Sequence, residues 1–123
     1  MSLGGAWPRE VGLHGADESL RSLLSDVLAD MGIRLAPPEG WGGTPDVVLA
    51  LVEREDSVPR VLRAVEERSG PVPVLVLLPF EDERLRQLAM GLGARGCYAL
   101  GTPLEALKRL LCDTRLAHAR EAR

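Results

Sequence analysis

The run Val47-Val48-Leu49-Ala50-Leu51-Val52 is wholly apolar and is preceded by Pro45-Asp46. An uninterrupted run of strand length, without polar alternation, is the mark of a strand covered on both faces, as in a parallel sheet. Pro73-Val74-Leu75-Val76-Leu77-Leu78 repeats the pattern. Shorter apolar stretches at Val11–His14, Ile33–Ala36 and Cys97–Leu100 predict three further strands, the second of them near a sheet edge.

Between these runs the period lengthens to that of a helix. From Glu18 to about Met31, Leu20, Leu23, Leu24, Val27, Leu28 and Met31 fall on one face, while Arg21, Ser25 and Asp30 fall elsewhere. Asp17 is placed to cap this helix and Gly32 to stop it. A second helix starts at Ser57 or Val58 with Pro59 in its first turn. Its inner stripe is Val58, Val61, Leu62 and Val65, and it ends near Ser69-Gly70. Glu81-Asp82-Glu83 opens a third, where acidic groups suit the helix dipole, and Leu85, Leu88, Ala89 and Leu92 form its buried side. Thr102-Pro103-Leu104-Glu105 has the pattern of a capping box ahead of a last helix, with Leu104, Leu107 and Leu111 facing inward.

The segment 37–45 carries three prolines and three glycines, which excludes a regular helix there. Residues 1–10 read as a loose leader and 11–112 as one domain. Residues 113–123 read as an extension of the last helix or the start of a linker. Alternating strands and helices with apolar central strands imply an α/β fold, a parallel sheet with helices on both faces.

Composition narrows the function classes. The 123 residues suit one core. Aromatics make up 3 % and the formal net charge is −3, which argues against a nucleic-acid stacking surface and against nonspecific binding to anionic polymers. Two cysteines, Cys97 and Cys112, do not make a disulfide framework, and no secretory signal precedes them. A cytoplasmic location with reduced thiols is expected. No apolar run approaches the ~18–20 residues of a membrane span.

Four segments in order carry a family resemblance: Asp17-Glu18-Ser19-Leu20-Arg21-Ser22-Leu23-Leu24, Pro45-Asp46-Val47-Val48-Leu49, Pro73-Val74-Leu75-Val76-Leu77 and Gly93-Ala94-Arg95-Gly96. From about residue 11 to 112 the chain resembles the receiver domain of bacterial two-component response regulators. With Gly101-Thr102-Pro103-Leu104-Glu105 before the last helix, it looks most like receivers that precede a helix-turn-helix effector. The resemblance implies a flavodoxin-like, doubly wound five-stranded sheet of order 2-1-3-4-5. It also implies that the Pro/Gly loop replaces the family's second helix.

The family's phosphoryl chemistry needs an acidic pair that binds Mg²⁺, an acceptor aspartate, a hydroxyl and a lysine. The positions that correspond are Gly15 and Ala16 for the acidic pair, Leu51 for the acceptor, Leu78 for the hydroxyl and Leu100 for the lysine. The aromatic switch position falls on Cys97, with Tyr98 one residue out of register. Replacing a cluster of carboxylates by leucine removes like-charge repulsion and desolvation cost. The resemblance therefore implies a degenerate receiver without aspartyl phosphorylation, without Mg²⁺ or another cofactor, and without enzymatic activity.

Single features have competing readings. Asp17, with Glu53, is a remnant of the pocket rim, or simply a helix cap, the more common role. His14 is a lone histidine with no ligand partner at metal spacing, and Cys97 a small buried thiol or a redox group. Gly40-Trp41-Gly42-Gly43 neither follows the first strand nor opens a helix, so it is no phosphate loop. Trp41 either covers core or faces a partner. Ser22 and Ser25 have no nucleophile context.

The expected role is a phosphorylation-independent signalling and dimerisation module, the regulatory part of a transcriptional regulator. It would act through the face made by the last strand and the last two helices. Partners would be a protein or a second copy, a small-molecule effector, and DNA only through an effector domain outside this chain. The alternative is a flavodoxin-like ligand-binding domain or enzyme fragment that uses the crevice at the carboxyl ends of the strands. That alternative requires Gly15, Asp17, Glu53, Glu55, Thr102 and His14 to converge.

Overall fold

The structure, a computed structural model, describes residues 8–37 and 44–121, with residues 114–121 described as backbone. In chain order the elements are β1 (Glu10–His14), α1 (Glu18–Asp30), β2 (Arg34–Leu35), β3 (Val47–Leu51), a 3-10 turn (Glu55–Ser57), α2 (Val58–Ser69), β4 (Val74–Leu78), α3 (Glu83–Gly91), β5 (Gly96–Ala99) and α4 (Leu104–Glu121). The five strands form one parallel sheet of order β2-β1-β3-β4-β5. This is the flavodoxin-like, doubly wound arrangement expected from the sequence.

The pleat of β3 sorts the two layers. Val47 and Leu49 point to one face, where Leu24 and Leu28 of α1 and Leu107 and Leu111 of α4 close over them together with Leu13, Leu75, Leu77 and Tyr98. Val48 and Ala50 point to the other, under Val65 of α2. Farther along that face Val58 of α2 and Leu85 and Ala89 of α3 cover Val76, Leu78, Cys97 and Ala99. Gly96 lets α4 approach β5: a Cβ there would stand 2.8 Å from Leu110 Cδ2 and 3.2 Å from Leu75 Cδ2. Asp46 fixes the start of the sheet, since its Oδ2 accepts from the backbone N–H groups of Arg9 and Glu10 at 2.7 and 3.2 Å.

Several expectations shift. The first strand begins at Glu10, one residue earlier than expected, and Pro8 is buried. β2 keeps only Arg34–Leu35, and β5 ends at Ala99, one residue early. The helix stripes are wider in sequence than in space. Leu23, Leu88, Leu92 and Leu104 are exposed, whereas Leu24, Val27, Leu28, Leu85, Ala89, Leu107 and Leu111 are buried. Asp17 does cap α1, its Oδ1 accepting from Leu20 N–H at 2.9 Å. The capping box at α4 is not built: Thr102 Oγ1 donates to Ala99 O at 2.6 Å, and Glu105 pairs with Lys108 at 3.8 Å. Residues 1–7, and the part of the Pro/Gly loop at 38–43 that includes Trp41, lie outside the described residues. No helix among the described residues is long and apolar enough to cross a membrane.

His14 closes β1 beside Ala50 of β3, half-buried. Partial burial lowers its pKa below the usual imidazole value of 6.5, and the positive charge of Arg68 adds to the effect. Protonation is thus easier in the unfolded chain. The resulting prediction is that stability falls as pH drops through 6.5 toward the lowered folded-state value. In His14→Asn that component of the slope in urea melts at pH 7.5 to 5 is absent. An unchanged slope would remove the assignment. Truncation of a β3 core side chain, Leu49→Ala, is expected to cost about 2–5 kcal/mol. That is a large share of the ~5–15 kcal/mol typical of a domain, and it is measurable as a lower urea midpoint at constant m.

Candidate functional site

Parallel strands deliver their carboxyl ends to one edge of the sheet, and in doubly wound folds the crevice there is where ligands sit. Here the loops after β1, β3, β4 and β5 meet at a cavity of about 440 Å³ lined by Gly15, Asp17, Ser19, Leu20, Leu23, Leu51, Glu53, Pro79 and Leu100.

Gly15 and Leu51 come close to each other at this cavity. Gly15 has φ +84°, a conformation in which an L side chain is strained, and a Cβ there would lie 3.3 Å from Leu51 O. Beside it Ala16, Leu20, Leu51 and Leu100 pack against the α1/α4-side core. The floor of the crevice is therefore hydrocarbon. Leu78 is fully buried on the opposite face with Val52, Val58 and Ala99. It contributes to the core and does not line the cavity. So the structure brings Gly15, Leu51 and Leu100 to one place with Asp17 and Glu53 at the rim, and sends Leu78 elsewhere.

Of the six groups that the alternative reading needs together, Gly15, Asp17 and Glu53 meet at this cavity, and Glu55, Thr102 and His14 are placed elsewhere. Asp17 spends Oδ1 on the α1 cap. Glu55 pairs with Arg84 at 3.2 Å. Thr102 belongs to a different groove, and His14 lies near Arg68. Among the described residues no group of three or more His, Cys, Asp or Glu side chains is placed to hold a metal. Ser19, Leu20, Leu23 and Pro79 line the cavity without having been singled out from the sequence as site residues. The available signal was the breadth of the α1 stripe, which held more leucines than one buried face accommodates.

Cys97 and Tyr98 lie on opposite faces of β5. Cys97 is buried against α3, with its Sγ 3.9 Å from Arg86 O. Burial raises its thiol pKa, opposed by the Arg86 charge, so the thiol stays protonated near neutrality. Tyr98 points to the α1/α4 side, is 3 % exposed and donates its hydroxyl to Thr102 O. Both border a second groove of about 460 Å³ between α3, β5 and α4, whose charged lining is Glu81, Arg86, Arg109 and Asp113.

No protein-family model matches the sequence, and no curated protein matches it. Solved structures do match. A response-regulator receiver protein from Burkholderia phymatum superposes with a TM-score of 0.68 over 87 % of this chain and 94 % of its own, at 20 % identity. A pilus assembly-related protein from Burkholderia pseudomallei matches with a TM-score of 0.66 over 94 % of both chains, at 12 % identity. A response regulator from the same organism, solved with a phosphorylated aspartic acid, a calcium ion and citrate, matches with a TM-score of 0.64 over 93 % of this chain and 73 % of its own, at 15 % identity. The chain has the fold of response-regulator receiver domains.

Proposed function

We propose that the chain is a receiver-like signalling module that works without phosphorylation. The observation that carries this reading is the apolar lining of the crevice by Gly15, Leu51 and Leu100. A phosphoryl acceptor needs a nucleophilic oxygen, and Mg²⁺ needs oxygen ligands. The positions that would supply them hold Gly15, Ala16, Leu51, Leu78 and Leu100. The loss extends to the backbone, because Gly15 takes a conformation that an aspartate would strain. The similar protein from Burkholderia pseudomallei carries a phosphorylated aspartate. This chain keeps that fold and has hydrocarbon where the chemistry would be. No enzymatic activity and no cofactor belong to this reading.

Output runs through the α3/β5/α4 groove. Glu81 and Asp113 share its lining with Arg86 and Arg109. Mixed charge on one patch is self-complementary under a two-fold axis, so a second copy is the partner it fits. In this reading the chain is cytoplasmic and forms the regulatory part of a transcriptional regulator whose DNA contacts lie in a separate effector domain. The enzyme-fragment alternative is less favoured, since only Gly15, Asp17 and Glu53 of its six groups line the crevice.

Two measurements test this. Amide NMR spectra are expected to stay unchanged on adding Mg²⁺ and beryllofluoride, the phosphoryl mimic. Saturable shifts around residues 15–17, 51–56 and 100–102 would restore phosphoryl chemistry and end the proposal. Sedimentation at tens of micromolar is expected to show a dimer that Arg109→Glu converts to monomer and that weakens with salt. A wild-type monomer would remove this face as the output.

A further inference from the structure

The crevice that holds no phosphoryl chemistry is not closed. Leu23 is 54 % exposed on its wall, and Leu20, Leu51 and Leu100 are only partly buried. Water is left against leucine on a concave surface built by several different loops, and about 440 Å³ lies in the range of small-molecule sites. An abandoned pocket that had simply become core would show these side chains fully covered, as Leu78 is.

The charge on this crevice has one sign. Its two ionisable lining residues are Asp17 and Glu53, with no lysine, arginine or histidine among the rest. Only one oxygen of Asp17 is used, by the helix cap. Among the described residues Glu53 makes no hydrogen bond or ion pair. Acidic residues also stand at the neighbouring helix starts. The helices that start at this edge of the sheet do so with Glu18, with Glu55 and Asp56, and with Glu81, Asp82 and Glu83, since acidic groups favour helix N-termini. The nearby cations are engaged with these carboxylates: Arg54 with Asp56, Arg84 with Glu55, and Arg86 with both Glu81 and Glu83.

An apolar floor beneath an acidic rim selects a ligand with an apolar body and one cationic end. We infer that the crevice binds a small amphiphilic amine, its apolar part against Leu20, Leu51 and Leu100 and its ammonium between Asp17 and Glu53. An anionic or phosphorylated ligand is repelled by the same rim. This inference rests on the reading that the crevice has lost phosphoryl chemistry, and it gives that module an input: a ligand that bridges the β1–α1 loop to the end of β3 stabilises whichever arrangement of those loops it fits better.

The test uses the full 123-residue chain with ¹³C-labelled leucine methyls and three probes that share one apolar body: 4-phenylbutylamine, 4-phenylbutan-1-ol and 4-phenylbutyrate. The amine is expected to give saturable shifts at Leu20, Leu23, Leu51 and Leu100. Partly exposed charge pairs are weak, so its affinity should exceed that of the alcohol by about 3- to 10-fold, with the carboxylate weaker still. Glu53→Gln breaks no hydrogen bond among the described residues. It should narrow the advantage of amine over alcohol and leave alcohol binding unchanged. Binding of the carboxylate as tightly as the amine, shifts centred on leucines outside the crevice, or no saturable shift with any probe would each overturn the inference. The beryllofluoride titration separates the two levels. If it stays silent while the amines also fail, this ligand class alone is wrong. If it gives shifts, the loss of phosphoryl chemistry is wrong.

Discussion

Burial of β3 on both faces is the constraint from which the rest of the structure follows. Its backbone groups need partners on both edges, so β1 and β4 flank it, paired in register from Val11 to His14 on one side and from Val74 to Leu77 on the other. Its side chains need apolar cover above and below, so α1 and α4 occupy one face and α2 and α3 the other. A strand with neighbours on all four sides has little freedom to shift register, because a one-residue slip would exchange the two sets of side chains. The carboxyl-end crevice takes its position from that rigid centre.

The crevice is a place where four loops meet over an apolar floor. Gly15, Ala16, Leu51, Leu78 and Leu100 present no side-chain oxygen at these strand ends, and the sheet fixes where their loops lie. Strand alternation then divides the substituted residues. Leu51 and Leu100 stay at the mouth, while Leu78 turns to the far face and is absorbed by the core. What is left is a concave apolar surface, and the carboxylates around it are there partly to cap helices. Asp17 shows the economy of this arrangement, since one of its oxygens holds the start of α1 and the other is available at the rim.

The two faces of β5 separate roles in a similar way. Cys97 and Tyr98 are neighbours in sequence and point to opposite sides of the sheet. Tyr98 is held by its hydroxyl on Thr102 O, at the turn that leads into α4. An aromatic ring at position 97 would lie on the α3 side of β5. The ring at 98 lies on the α4 side, so the groove between these elements is shaped by packing and by its alternating charges.

Much of this was legible in the chain. The unbroken runs Val47–Val52 and Val74–Leu78 specify strands covered twice, because only such strands tolerate no polar position. Asp17 specifies the start of α1 because its carboxylate can satisfy an orphan helix N–H. The leucines at 51, 78 and 100 were legible as strand-end positions only through the family resemblance. Tertiary structure decided what local pattern could not. Periodicity places Leu23, Leu88, Leu92 and Leu104 on inner faces, but the width of a buried stripe is set by how close the neighbouring helix and sheet come. Thr102 and Glu105 had the spacing of a capping box, and both found competing partners in Ala99 O and Lys108. That Leu51 and Leu100 share an open cavity with Asp17 and Glu53, while Leu78 does not, depends on which way each side chain leaves the pleat where four loops meet, a fact of register that only the assembled sheet supplies.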